Sequence, residues 1–296
     1  MKYLILFIIC FLTTTASGQS LWDRVEHGFA DNEGVKIHYV KTGSGPVILL
    51  LHGFPDFWYT WRRQMEALAP RFTVVAMDLR GYNQSDKPKE VEDYAMRHLV
   101  ADVGAVIDRL GVPKVILVGH DWGGAIAWQV AINRPELVEK LVILSTPHPR
   151  GLLRELQNNK QQQSGSTYAE DFQKKDAHKN LTPEEMVSWV KDEDAKPRYL
   201  EAFRKSSIEG MLNYYKASFP KSRTKSSSPT RPLKKVQCPT LVFFGLEDKA
   251  LLAAGFNSTW EWVDAPLTMI SIPGVGHFVQ QDASEMVTSN LMRWLD

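Results

Sequence analysis

The 296-residue sequence predicts an α/β protein: a mostly parallel central sheet flanked by helices, with a helical cap inserted after the sixth strand. Three observations carry this expectation. Several short runs are continuously apolar and β-branched, as in Val47-Ile48-Leu49-Leu50-Leu51, which is how strands buried on both faces of a parallel sheet read. These runs alternate with stretches of helical spacing, so right-handed strand–helix–strand crossovers follow. The alternation then stops between about 149 and 235, where the text is polar, Gln/Lys-rich and helix-like.

In chain order, MKYLILFIICFLTTTASGQS has one positive charge, an apolar run from Tyr3 to Leu12 and small residues ending at Gly18. It reads as a secretory signal over residues 1–18, because ten apolar residues are too few to span a bilayer. Export to a periplasmic, extracellular or secretory compartment is the expectation, with no membrane association of the mature chain. Val35–Val40 alternates as a half-buried strand, and the apolar runs at 47–51, 72–77, 115–118, 141–144, 241–244 and 269–272 supply the sheet. Helical spacing covers Met96–Leu110, Gly124–Asn133 and Ala283–Trp294. The core domain is thus expected over 19–148 and 236–296, with residues 149–235 as the cap, placed over the carboxyl edge of the sheet where open α/β folds bind ligands. The basic, Ser/Pro-rich stretch from Lys221 to Lys235 reads as a solvated return loop.

Composition excludes several classes. From Gln19 onward the chain carries 34 basic and 34 acidic residues, so nothing favours nucleic acid or an anionic surface. Cys10 falls in the signal, leaving Cys238 unable to form an internal disulfide; it reads as a buried, inert thiol. Asn83, Asn180 and Asn257 head glycosylation sequons. No metal cluster, phosphate loop or dinucleotide fingerprint is present, and no cofactor is expected.

The chemistry centres on VILVGHDWGGAIAW, residues 115–128. An apolar strand, a glycine-framed turn and a small-residue helix follow one another as in the G-x-S-x-G nucleophile elbow, but the central residue is Asp121. An aspartate before a helix also serves as an N-cap; the glycine frame and upstream strand favour the nucleophile. A carboxylate needs no base to attack, and with an sp³ carbon it forms an alkyl ester. Asp248 follows a late strand, with Glu247 as its nearest rival, and His277 stands between the last strand and the terminal helix. The order Asp121, Asp248, His277 is the nucleophile, acid, histidine order of the elbow fold. His52-Gly53-Phe54-Pro55 follows a buried strand, so the N–H groups of Phe54 and Trp122 are candidates for an oxyanion hole. His52, Pro55 and Trp122 are candidate substrate contacts.

Taken together, HGFP, DLRGYNQSDKP, GHDWGG, GLEDKAL and GVGHFVQQD resemble the epoxide hydrolases of the α/β-hydrolase fold over nearly the whole mature chain. The resemblance implies two cap tyrosines that grip and protonate the epoxide oxygen. Leu212-Asn213-Tyr214-Tyr215-Lys216 is similar to the second tyrosine motif and assigns the role to Tyr215; Tyr168, in Y-x-x-x-F-Q spacing, is similar to the first. A phenol of pKa about 10 can donate to an alkoxide at neutral pH. The implied reaction converts an epoxide to a vicinal diol through an ester on Asp121, hydrolysed by water that His277, oriented by Asp248, deprotonates. The small-molecule epoxide is the one partner implied; oligomeric state is not readable.

Two alternatives stand beside it. Haloalkane dehalogenases share the nucleophile but hold halide with the Trp after it, present here as Trp122, plus an Asn or a second Trp, and the position that would hold that Asn is Phe54; haloacetate dehalogenases place Arg where this chain has Trp122. The other is a secreted, non-catalytic ligand-binding protein on the same fold. Asn83 replaces the glycine many relatives carry in RGYGQSD.

Overall fold

The computed structural model describes residues 20–220 and 234–296; the expected signal segment and most of the return loop lie outside them. One eight-stranded sheet runs through the molecule in the order β1-β2-β4-β3-β5-β6-β7-β8. The strands are β1 Glu26–Asn32, β2 Val35–Thr42, β3 Val47–Leu51, β4 Thr73–Met77, β5 Val115–His120, β6 Val138–Leu144, β7 Thr240–Gly245 and β8 Leu267–Ile272. β2 runs antiparallel to both of its neighbours, and every pairing from β4 to β8 is parallel.

The helices are α1 Leu21–Arg24, α2 Arg62–Leu68, α3 Met96–Leu110, α4 Trp122–Asn133, α5 Pro149–Asn158, α6 Lys160–Gly165, α7 Thr167–Phe172, α8 Pro183–Met186, α9 Lys196–Lys205, α10 Ile208–Ser218, α11 Val279–Asp282 and α12 Ser284–Leu295. α3 and α4 pack together against the sheet, and α2 packs on β4 with α12 beside it. Helices on both sides explain why β5 is buried at every residue and why its sequence shows no alternation. β1 was not picked out in the sequence: it is an edge strand with mostly exposed side chains, so it carries no apolar run.

Helices α5 to α10 all fall between β6 and β7. Their contacts with the core are polar as well as apolar. The Tyr214 hydroxyl donates to the Arg80 carbonyl at 2.8 Å, and the Tyr199 hydroxyl donates to Asp56 at 2.9 Å. Arg62 pairs with Asp192 at 2.6 Å.

Cys238 is buried, and burial pushes its thiol up to about 11. Asn83 has φ +39° and is 4% exposed. Its Nδ2 donates to Asp78 Oδ2 at 2.9 Å, a bond to a fully buried carboxylate that a glycine could not make. The same burial removes Asn83 as a glycan acceptor in the folded protein, whereas Asn180 and Asn257 are exposed.

Candidate active site

Asp121 stands where β5 turns sharply into α4. Its φ of +50° and ψ of −119° are outside the regions open to ordinary side chains, a strain of about 1–3 kcal/mol. The turn closes because its glycines admit backbone: a Cβ on Gly123 would overlap the carbonyl oxygens of Leu51 and His52. A Cβ on Gly53 would overlap the Asp121 carboxylate itself. The Asp121 side chain makes no capping bond to α4. It points instead across the sheet edge, where Phe54 N–H donates to Oδ1 at 2.8 Å. Thr146, after β6, steadies the turn by donating its hydroxyl to the Asp121 carbonyl at 2.9 Å. Trp122 N–H is the first of its helix and has no intrahelical acceptor.

The other two members arrive from neighbouring strand ends. Asp248 follows β7, and its Oδ1 accepts from Ala250 N–H at 2.8 Å and Leu251 N–H at 3.0 Å. That leaves Oδ2 for His277 Nδ1 at 2.7 Å. On the other side of the ring, His277 Nε2 is 3.4 Å from Asp121 Oδ2. The structure therefore brings Asp121, Asp248 and His277 into one contiguous set. Glu247 is exposed and does not join it.

The electrostatics follow from this sandwich. Burial alone would lower the His277 imidazole, but the Asp248 charge and the Asp121 contact raise it to about 10. Burial alone would raise Asp121, but the His277 proton and the Phe54 N–H hold its carboxyl below the usual range. Each group thus favours the other's charged form.

Asp121, Trp122, Tyr168 and Tyr215 line one cavity of about 420 Å³. The rest of its wall is largely apolar, including Met96, Pro147, Leu152, Phe219 and Leu251. Tyr215 is set by edge-on contacts to Trp122 (ring centroids 5.1 Å) and Phe54 (5.6 Å), with Tyr168 6.0 Å away. Its neighbour Tyr214 is turned to the Arg80 carbonyl instead. Burial first, and then the nearby Asp121 charge, push the Tyr168 phenol above its ordinary value. Burial and the neighbouring Tyr168 and Asp121 do the same to Tyr215. Both are harder to ionise than a free phenol and are protonated at neutral pH.

Two expected substrate contacts, His52 and Pro55, belong to the turn that carries Phe54. His52 is fully buried, its Nδ1–H donating to Gly53 C=O at 2.8 Å and its Nε2 accepting from Leu79 N–H at 3.0 Å. It supports the turn beneath Phe54 and does not reach the cavity. Pro55 does not line the cavity either.

Other residues near the site went unassigned in the sequence. His120 Nε2 bonds the His277 carbonyl at 3.0 Å, and burial lowers its imidazole to about 3, so it is a neutral N–H donor. Asp56 is fully buried, and burial raises its carboxyl to about 7. Each is adjacent in sequence to a motif residue, which was the available signal. Thr146, Leu251 and Phe219 carried none.

Comparison with known proteins identifies the family. The alpha/beta hydrolase fold family matches residues 46–284. Epoxide hydrolase 1 of Caenorhabditis elegans is 32% identical over 97% of this chain and 77% of its own length. Epoxide hydrolase 3 of Xenopus tropicalis is 32% identical over 96% and 80%. A variant of the Bacillus megaterium epoxide hydrolase, crystallised with its product (R)-3-[1]naphthyloxy-propane-1,2-diol, superimposes with a TM-score of 0.80 at 31% identity, over 90% of this chain and 99% of that one. With Asp121, Asp248 and His277 joined at the carboxyl edge of an eight-stranded sheet, this chain belongs to the epoxide hydrolases of the α/β-hydrolase fold.

Proposed function

We propose that the protein hydrolyses lipophilic epoxides to vicinal diols through a covalent ester on Asp121. The observation that carries this reading is the shared cavity: an ionised carboxylate and two protonated phenols face one apolar space. Asp121 Oδ2 attacks an epoxide carbon, and the C–O bond breaks as Tyr168 and Tyr215 hydrogen-bond the departing oxygen, one of them giving it a proton. Oδ1, already held by Phe54 N–H, becomes the ester carbonyl oxygen.

Ester formation removes the Asp121 charge, one of the causes that raise His277. The imidazolium then yields its proton, replacing the one the phenol gave up. Neutral His277 next deprotonates a water that attacks the ester carbonyl, and the oxyanion forms beside the N–H groups of Phe54 and Trp122. Collapse returns the proton to the leaving diol oxygen, and the new Asp121 carboxyl ionises against His277. Atoms balance: one epoxide and one water give one diol.

The wall residues Asp121 and Gln129 lie eight positions apart along α4, a separation of about 12 Å at 1.5 Å per residue. An aryl or extended alkyl substituent fits such a space. The diol bound in the Bacillus megaterium relative carries an aryloxy substituent, which supports the same substrate class here. Export remains a proposal resting on the charge and apolar run of residues 1–18.

The test is a panel of aryl, terminal and long-chain epoxides beside brominated alkanes, scoring diol and bromide separately. Diol from the lipophilic epoxides without bromide release is expected. Bromide release without diol would assign the chain to dehalogenation instead, and turnover of neither would leave a binding protein.

A further inference from the structure

We propose that Gln162 is a positioning residue, one side-chain amide that fixes the acid loop and the Tyr168 helix relative to each other. This rests on the reading above, in which Asp248 and Tyr168 serve successive steps. Gln162 lies in α6, 86 positions before Asp248 and between β6 and β7, and is 0% exposed. It is a long polar side chain buried without charge, so its hydrogen-bonding groups must be met inside the protein.

They are met in an informative way. Its Oε1 accepts from Leu252 N–H at 2.9 Å, and its Nε2 donates to Ala250 C=O at 2.6 Å. The amide thereby clamps the main chain on both sides of Leu251, whose side chain lines the substrate cavity. The N–H groups of Ala250 and Leu251 in turn hold Asp248 Oδ1, which aims Oδ2 at His277. Nε2 also donates to Ser166 Oγ at 2.9 Å. Ser166 is the residue from which α7 starts, two positions before Tyr168. Gly165 lies flush against the same loop, since a Cβ there would overlap the Lys249 carbonyl oxygen.

The consequence is mechanical coupling. Tyr168 serves ester formation and Asp248 serves ester hydrolysis, and the two depend on one shared amide. An isobutyl group at position 162 keeps most of the volume but offers none of the three hydrogen bonds, leaving the half-buried Ala250 C=O and Leu252 N–H without these partners.

Single-turnover kinetics on the full-length protein test this, because ester formation and ester hydrolysis are read as separate first-order rate constants that do not depend on the fraction folded. Gln162→Leu should slow both steps by about tenfold or more. Ser166→Ala, which keeps the clamp on the loop, should slow ester formation while leaving hydrolysis within about twofold. Gly165→Ala removes no hydrogen bond yet forces the two segments apart, so it should also slow both steps and serves where Gln162→Leu does not fold. Rate constants within twofold of the unsubstituted protein for Gln162→Leu, or for Gly165→Ala in its place, would overturn the proposal and leave Gln162 a packing residue. Absence of any ester or turnover in the unsubstituted protein would instead refute the epoxide reading on which it rests.

Discussion

His277 Nε2 stands 3.4 Å from Asp121 Oδ2, longer than a well-formed hydrogen bond yet close enough for each charge to set the other's protonation. In the proposed mechanism the pair makes ester formation a preparation for ester hydrolysis. While Asp121 is ionised it keeps His277 protonated and unable to act as a base; once it is an ester, that hold is gone.

Replacing Asp121 by Asn should mimic the uncharged ester. The account predicts no turnover and a His277 titration, followed by NMR, that moves down from its raised position toward the ordinary 6.5. An unmoved titration would mean Asp248 alone controls the imidazole. The same shift has a stability consequence. The folded state holds the His277 proton more tightly than the unfolded chain, so its contribution is fully present below about 6.5 and fades as pH rises to about 10. Urea melts across that interval should show stability falling in the unsubstituted protein relative to His277→Gln; parallel curves would contradict the raised value.

His277→Gln should itself be alkylated but turn over very slowly, because attack on the epoxide needs only the carboxylate. Intact-mass measurement after mixing with substrate is expected to find protein heavier by one substrate. Turnover at the unsubstituted rate would exclude the histidine as base.

Tyr215→Phe and Tyr168→Phe should each slow ester formation by about 10²–10⁴-fold, with smaller effects on ester hydrolysis. The loss should persist at mildly alkaline pH, since both phenols are harder to ionise than a free phenol. A variant that lowers only the hydrolysis rate would reassign that tyrosine.

Gly53→Ala would drive a methyl group into the Asp121 carboxylate. Displacement of a reacting group by about 1 Å costs on the order of 10²-fold, so kcat should fall by at least that much while the thermal transition is retained. Normal kcat would show that the elbow tolerates movement.

How much of this was readable beforehand depended on what each residue must do locally. Asp121 and Asp248 follow the buried strands β5 and β7, and His277 follows the half-buried β8, so each sits after an apolar run, which is why their order could be read. β1 was missed because an edge strand is wetted on its outer side and shows no continuous apolar text. The surroundings of His52 were not readable, because a motif histidine carries the same letter whether it faces substrate or its own backbone; its bonds to Gly53 and Leu79 appear only in the fold. Asn83 looked like an unexplained departure because its partner, Asp78, is brought beside it by the turn. Gln162 was invisible for the stronger reason that its partners lie 88 and 90 positions away, in a stretch of glutamines that are otherwise mostly exposed.

The most direct measurement is one turnover in ¹⁸O-water with enzyme in excess, followed by mass analysis of the peptide containing Asp121. Because water attacks the ester carbonyl, the account predicts one ¹⁸O in the Asp121 carboxyl and an unlabelled diol. Label in the diol with none in Asp121 would mean that water opens the epoxide directly, and the covalent mechanism would be wrong.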